Sequence, residues 1–196
     1  MDEFRIGGLE VICGPMFSGK TEELIRRMKR VQISEKKFLL FKPLMDDRYS
    51  KEHVISHDMR KLDAFVTGID RKSLEDMEIM IFETKPDVVG IDEVNFYDTY
   101  IIELIKKCMK AGIRVVASGL DTTFRGEPFG PMGHLLAIAD HVDKLKAICM
   151  KCRNEPAVMT QRIIDGKPAR YNDPTILVGG KESYEARCRK CYELIS

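Results

Sequence analysis

Eight consecutive residues, Gly14-Pro15-Met16-Phe17-Ser18-Gly19-Lys20-Thr21, carry the spacing G-x-x-x-x-G-K-[ST]. The chemistry open to such a stretch is the binding of phosphate oxygens. Glycines let successive N–H groups turn inward, and a helix starting at the lysine adds the partial positive charge of its N-terminus. The lysine reaches β- and γ-phosphates, and the threonine hydroxyl ligates Mg²⁺. A second pair, Asp92-Glu93, ends the apolar run Val88-Val89-Gly90-Ile91. Beside a phosphate loop, a strand-terminal Asp holds Mg²⁺ and its water shell, and the adjacent Glu can act on an attacking group. The bland alternative is an acidic pair that caps a helix.

The remaining chemistry is in sulfur. Cys149-x-x-Cys152 and Cys188-x-x-Cys191 are paired knuckles of the kind that hold zinc through four thiolates. The intervening residues 153–187 exceed the roughly 15–20 of a compact zinc ribbon. Either zinc closes a long loop or the cysteines form two redox pairs. Their spacing, and a start at Met1-Asp2-Glu3-Phe4-Arg5 without the form of a secretion signal, favour structural zinc and a cytoplasmic location. Four thiolates leave no open position for catalysis on the metal. Cys13 and Cys108 stand alone and read as small buried hydrophobes.

These groups need strands and helices to bring them together. The loop follows the apolar run Leu9–Cys13 and opens onto a helix spaced over about 20–34, the strand–loop–helix context it requires. Residues 37–42 read as a second buried strand, ended by Pro43. The polar stretch 46–60 reads as a mobile loop, in which Arg48 either pairs with phosphates or is a solvated surface group. His53 and His57 are ordinary loop histidines. Ala64–Val66 is a short strand, and Ser73 reads as the N-cap of a helix running to about Glu83. Strands over 87–91 and 114–119 flank a helix over about 99–111, with Gly112 at its C-cap position. The exit of the later strand, residues 120–130, carries Phe124 and Phe129, which either stack on a base or pack as core aromatics. Loops at the carboxyl ends of parallel strands are where open α/β sheets bind ligands. A helix near 131–141 and a strand over 144–148 complete this part. Beyond it the chain is β-leaning, with strands over 157–164 and 175–178 about a turn at 165–168.

The chain has 196 residues, 44% hydrophobic and 32% charged, with Lys+Arg 32 against Asp+Glu 31. That suits one domain with a small appendage, here divided at 1–148 and 149–196. The near-neutral balance supplies no bulk field for nucleic acid or a membrane surface.

In order along the chain, Gly14–Thr21, Asp46-Asp-Arg-Tyr49, Ile91-Asp-Glu-Val-Asn-Phe-Tyr97, Gly119-Leu-Asp-Thr-Thr-Phe124, the first knuckle and Gly180–Tyr192 form a specific set. With them the sequence resembles the thymidine kinases of the cellular, zinc-containing type over nearly its whole length. The resemblance implies an open, mostly parallel α/β sheet of the P-loop NTPase kind, with flanking helices and a β-rich zinc subdomain bearing a lasso-like loop. It implies transfer of phosphate from ATP to the 5′-hydroxyl of thymidine and of deoxyuridine. Residues 14–21, Asp46 and Arg48 would lie at the triphosphate, Asp92 at Mg²⁺, and Glu93 would be the base. Phe124 would line the thymidine pocket with Met16 close by, Thr175, Ile176, Leu177, Val178 and Gly179 would close over the base, and Tyr184 would contact the nucleoside. Cys149, Cys152, Cys188 and Cys191 would hold zinc. A homotetramer and feedback inhibition by thymidine triphosphate are implied too. Asn95, grouped with the nucleotide-site residues, stands where the family usually has Gln. Two other readings use the same residues: a zinc-containing ATPase stimulated by nucleic acid, and a non-catalytic nucleotide switch whose tail docks a partner.

Overall fold

The structure is a computed structural model and describes residues 7–44, 53–55, 61–175 and 182–195. Its elements are β1 (Leu9–Cys13), α1 (Lys20–Ile33), β2 (Phe38–Pro43), β3 (His53–Ile55), β4 (Lys61–Asp63), β5 (Phe65–Thr67), α2 (Arg71–Thr84), β6 (Val88–Ile91), α3 (Tyr100–Lys110), β7 (Arg114–Gly119) and α4 (Met132–Ile138). There follow β8 (His141–Lys144), β9 (Ala147–Ile148), β10 (Pro156–Ala157), β11 (Met159–Ile164), β12 (Lys167–Pro168) and β13 (Glu182–Arg187). Six strands form one sheet in the order β5-β2-β6-β7-β1-β8, and every neighbouring pair in it is parallel. Parallel neighbours need crossovers, and these supply helices on both faces.

The period of two along each strand sorts the core. Leu9, Val11 and Cys13 of β1, Leu39 and Phe41 of β2, Val89 and Ile91 of β6, and Val115 and Ala117 of β7 pack with the apolar sides of α2, α3 and α4. The alternate residues Ile12, Leu40, Val88 and Val116 pack with Leu24, Ile25, Met28 and Val31 of α1. Helix α1 lies close against the sheet at Gly90, where a Cβ would sit 2.8 Å from Leu40 Cδ1 and 3.0 Å from Met28 Sδ. Cys13 and Cys108 are buried among apolar neighbours.

The same alternation explains a buried acid. Glu10 lies on the α1 face of β1, 2.7 Å from Arg27 of α1, and it also pairs with Arg114. Arg27 in turn meets Glu23 at 2.8 Å and pairs with Asp143 of β8. A charge buried between a sheet and its covering helix is tolerated only when paired in this way.

Several boundaries differ from those expected. The N-cap of α2 is Asp70, which accepts the Ser73 N–H at 3.1 Å, so the helix begins at Arg71. Within the polar stretch expected as a loop, His53–Ile55 pairs antiparallel with Lys61–Asp63. Helix α4 stops at Ile138 because Asp140 bonds Leu9 through both its N–H and its carboxylate (2.9 Å each), setting His141–Lys144 into the sheet beside β1. The strand expected over 144–148 is therefore β8 followed by the separate short β9. The strand expected over 157–164 divides at Val158, whose N–H is taken by Arg187 O at 3.0 Å. Residues 182–187, charged enough to pass as loop, form β13 along β11.

In the C-terminal part, β12, β11 and β13 make a three-stranded antiparallel sheet, and β9 and β10 pair beside the first knuckle. Its buried cluster comprises, among the described residues, Cys149, Ala157, Ala186 and Cys188. No helix among the described residues is long and apolar enough to cross a membrane.

Candidate active site

The loop between β1 and α1 is shaped by backbone conformations open mainly to glycine. Gly14 has φ 143° and Gly19 φ 82°. A Cβ at Gly14 would lie 2.5 Å from Leu145 O, so the strand exit and the β8 exit meet without room for a side chain. Gly19 is the N-cap of α1 and offers no side-chain cap, leaving first-turn N–H groups facing the loop. Lys20 is buried, and its Nζ folds back to donate to Pro15 O at 2.8 Å. Burial pushes the Lys20 ammonium below its ordinary range, while Glu93 and Asp92 work against that shift.

Asp92 arrives from the neighbouring strand by register. It follows Gly90 by two and so emerges on the α1 face of the sheet, as Ser118 does two residues after Val116. Thr21 Oγ1 lies 3.2 and 3.4 Å from the Asp92 carboxylate oxygens, Ser118 Oγ donates to Oδ1, and Glu93 N–H donates to Oδ1 at 3.1 Å. Burial raises the Asp92 pKa, and these donors oppose the rise. A hydroxyl against a buried carboxylate is a hard-oxygen pair suited to Mg²⁺ or to a water in its shell.

Glu93 holds φ 49° and ψ 42°, a left-handed conformation that costs a non-glycine residue on the order of 1–3 kcal/mol. One carboxylate oxygen, Oε2, is sealed from solvent without a hydrogen-bond partner among the described residues. Burial and then the Asp92 charge raise its pKa to about 7, and Lys20 pulls the other way. A carboxyl group held there can exchange a proton near neutral pH.

Asn95 is 2% exposed and ties two strand exits together. Its Oδ1 accepts Leu120 N–H at 2.9 Å, and a Cβ at Gly119 would lie 2.5 Å from that oxygen. Gly130, at φ 51°, passes so near Asn95 O that a side chain there has no space.

The C-terminal sheet meets this loop directly. Thr160 Oγ1 accepts Met16 N–H at 3.1 Å. Two residues on, Arg162 shares that face of β11 and stands opposite Tyr184 in the β11–β13 register. Its guanidinium lies 5.3 Å from the Phe124 ring centroid. Phe124 is buried, and Tyr192 donates its hydroxyl to Phe124 O. Met16 of the phosphate loop thus bonds β11, while Phe124 lies beside Arg162, the register partner of Tyr184. Phe129 instead packs edge-on to Phe96 with centroids 5.2 Å apart. Thr175 Oγ1 accepts from Arg125 Nη1 at 2.8 Å. Asp46, Arg48, Ile176, Leu177, Val178 and Gly179 lie outside the described residues.

The four knuckle sulfurs lie within 4.8 Å of one another, with Cys152 and Cys188 3.9 Å apart. Tetrahedral zinc with Zn–S near 2.3 Å needs sulfurs about 3.8 Å apart. Burial pushes the Cys149 thiol up, but N–H groups of Cys152, Cys188 and Lys151 bring it down to about 6. Cys188 beside it and burial push the Cys191 thiol up to about 12. Four thiols so placed fit a structural zinc ion, whose charge would let all four ionise together.

A family model described as Thymidine kinase matches residues 7–192. The chain belongs to the thymidine kinase family. Membership makes it a phosphotransferase with an alcohol group as acceptor, one that phosphorylates a nucleoside with a nucleotide as phosphate donor. Within this thymidine kinase fold, residue patterns pointed to the loop, the carboxylates and the knuckles. Ser118, Thr160, Arg125 and Arg162 were missed, because each sits in a strand or turn whose partner is remote in sequence. The strand alternation offered a signal for Ser118, a polar residue on the face shared with Asp92.

Proposed function

We propose that this chain transfers the γ-phosphoryl group of ATP to the 5′-hydroxyl of thymidine, and of deoxyuridine. The observation that carries the reading is Glu93, strained, half-buried and with a pKa near 7, beside Asp92 and the phosphate loop. The loop N–H groups of 14–21 would hold the triphosphate, and Lys20 would swing from Pro15 O onto the β- and γ-phosphates. Thr21 and Asp92 would hold Mg²⁺, which when bound neutralises charge on the phosphate oxygens. Phosphoryl transfer has a loose transition state, so fixed positive charge and positioning do most of the work. Glu93 orients the 5′-hydroxyl and takes its proton late in the transfer. Phe124, Met16 and Tyr184 border the nucleoside, and Thr175–Gly179 supplies backbone groups to its base. Asp46 and Arg48 belong to the phosphate side of the same site. Asn95 serves the site by holding the Leu120 exit rather than by touching the nucleotide. We further propose division into a nucleotide-binding unit (1–148) and a zinc-tethered unit (149–196). A homotetramer, end-product inhibition by thymidine triphosphate and a cytoplasmic location follow from the family resemblance.

The test is transfer of labelled γ-phosphate from ATP–Mg²⁺ to a nucleoside panel, with free phosphate recorded in parallel. Labelled thymidine and deoxyuridine, unlabelled cytidine and purine nucleosides, and low hydrolysis are expected. Free phosphate alone, rising with DNA or RNA, would instead mark a nucleic-acid-stimulated ATPase.

A further inference from the structure

Two guanidinium groups share one aromatic ring at the edge of this site. Arg125 Cζ lies 4.7 Å and Arg162 Cζ 5.3 Å from the Phe124 centroid, close enough for both cations to interact with its π system. Both then reach the same short stretch of backbone. Arg125 donates Nε to Tyr171 O (2.6 Å), Nη2 to Asp173 O (2.6 Å) and Nη1 to Thr175 Oγ1 (2.8 Å). Arg162 donates Nη1 to Pro174 O. Arg125 Cζ is also 5.4 Å from the Tyr171 ring, whose hydroxyl donates to Glu127. The turn presenting Arg125 is closed by Thr123 N–H to Glu127 O (2.8 Å) and Gly126 N–H to Thr123 O (3.0 Å). Its chain runs back through Leu120 to Asn95, two residues from Glu93.

We infer that Arg125 is a positioning residue for the nucleoside: it clamps the strap 171–175 onto Phe124 and so holds one wall of the nucleoside site in register with the phosphate loop. The inference rests on the nucleoside-kinase reading of that site. A fork of donors is what the geometry uses. Lysine keeps the charge but presents a single ammonium, which cannot serve three acceptors spread over 171–175. The fold does not depend on the clamp. Arg125 is part-exposed and lies outside the apolar clusters, and the strap keeps Tyr171 N–H to Ile195 O (2.7 Å) and Arg170 N–H to Asp173 Oδ2 (2.7 Å).

The experiment compares the zinc-loaded wild-type chain with Arg125→Lys and Arg125→Ala. Both variants are expected to raise the KM for thymidine by about tenfold or more, the size of one lost charge-assisted hydrogen bond. Thymidine binding by calorimetry should weaken in step, while kcat, the KM for ATP, zinc content and melting temperature hold. Hydrogen exchange of 171–175 should rise in both variants without any nucleoside present. Unchanged thymidine KM in both variants overturns the inference. So does a parallel loss of ATP affinity, zinc and melting temperature, which would mark a merely structural residue. A wild-type chain that labels no nucleoside overturns the underlying reading, and exchange at 171–175 then still reports whether the clamp exists.

Discussion

Glu93 concentrates the conflicts of the site in one side chain. Its backbone is left-handed, one oxygen has no partner among the described residues, and the Asp92 charge adjoins it. Each of these opposes ionisation or stability, and together they leave a base with a pKa near 7. Since the carboxylate is the form that accepts a proton, kcat/KM should rise with pH through about 7 in the wild type. Glu93→Gln should lose that limb and about 10²–10⁴ in kcat, read from a pH–rate series. Stability should move the opposite way. The unfolded chain ionises near 4.5 and the folded one near 7, so the wild type loses stability as pH rises between those values. Glu93→Gln, having no charge to bury, should melt higher than the wild type at pH 8. A lower melting temperature for the variant at that pH would contradict the assigned cost of burying the Glu93 charge.

At the scale of elements, the site depends on how closely strand exits approach. Asn95 fills the gap between the β6 and β7 exits so fully that Gly119 and Gly130 have no room for a Cβ. A Gln here would be one methylene longer. Asn95→Gln should therefore cost about 1–3 kcal/mol through overpacking. Denaturant titration measures this, and an unchanged midpoint would show that the exits can spread. The space for that methylene was settled in this chain by the packing of 119–120 and 130, which no local pattern reports. Helix α1 was readable because Leu24, Ile25, Met28 and Val31 recur on one face. The end of α4 was not, since Asp140 stops it by bonding β1, far away in sequence.

The molecule as a whole is unevenly stabilised. The parallel sheet has an apolar core on each face, whereas the buried cluster at the knuckles comprises, among the described residues, two cysteines and two alanines. Such a cluster is too small to hold structure unaided, and zinc–thiolate binding, on the order of 10–16 kcal/mol in small peptides, would supply the difference. Stripping zinc with a chelator should therefore raise hydrogen exchange in β9, β10, β11 and β13 and abolish thymidine binding. Protection in β1, β6 and β7 should persist, together with ATP binding. Uniform loss of protection across both parts would mean that the two fold as one cooperative unit.

What the sequence by itself determined was chemistry carried by neighbours along the chain. The loop 14–21, the Asp92-Glu93 pair and the two cysteine knuckles are local patterns because consecutive backbone N–H groups, a strand end and a tight turn are local structures. The open α/β class was legible for a similar reason, as apolar strands alternated with amphipathic helices, and the family resemblance implied a mostly parallel sheet. That every neighbouring pair in it is parallel came from the structure. Only the tertiary structure decided which distant residues complete those patterns. Ser118 reaches Asp92 through strand register, Thr160 reaches Met16 across the two parts, and Arg125 and Arg162 meet on Phe124 from separate segments. Each contact joins residues whose separation along the chain carries no periodic signal, and each exists because burial and hydrogen bonding had to be satisfied together in three dimensions.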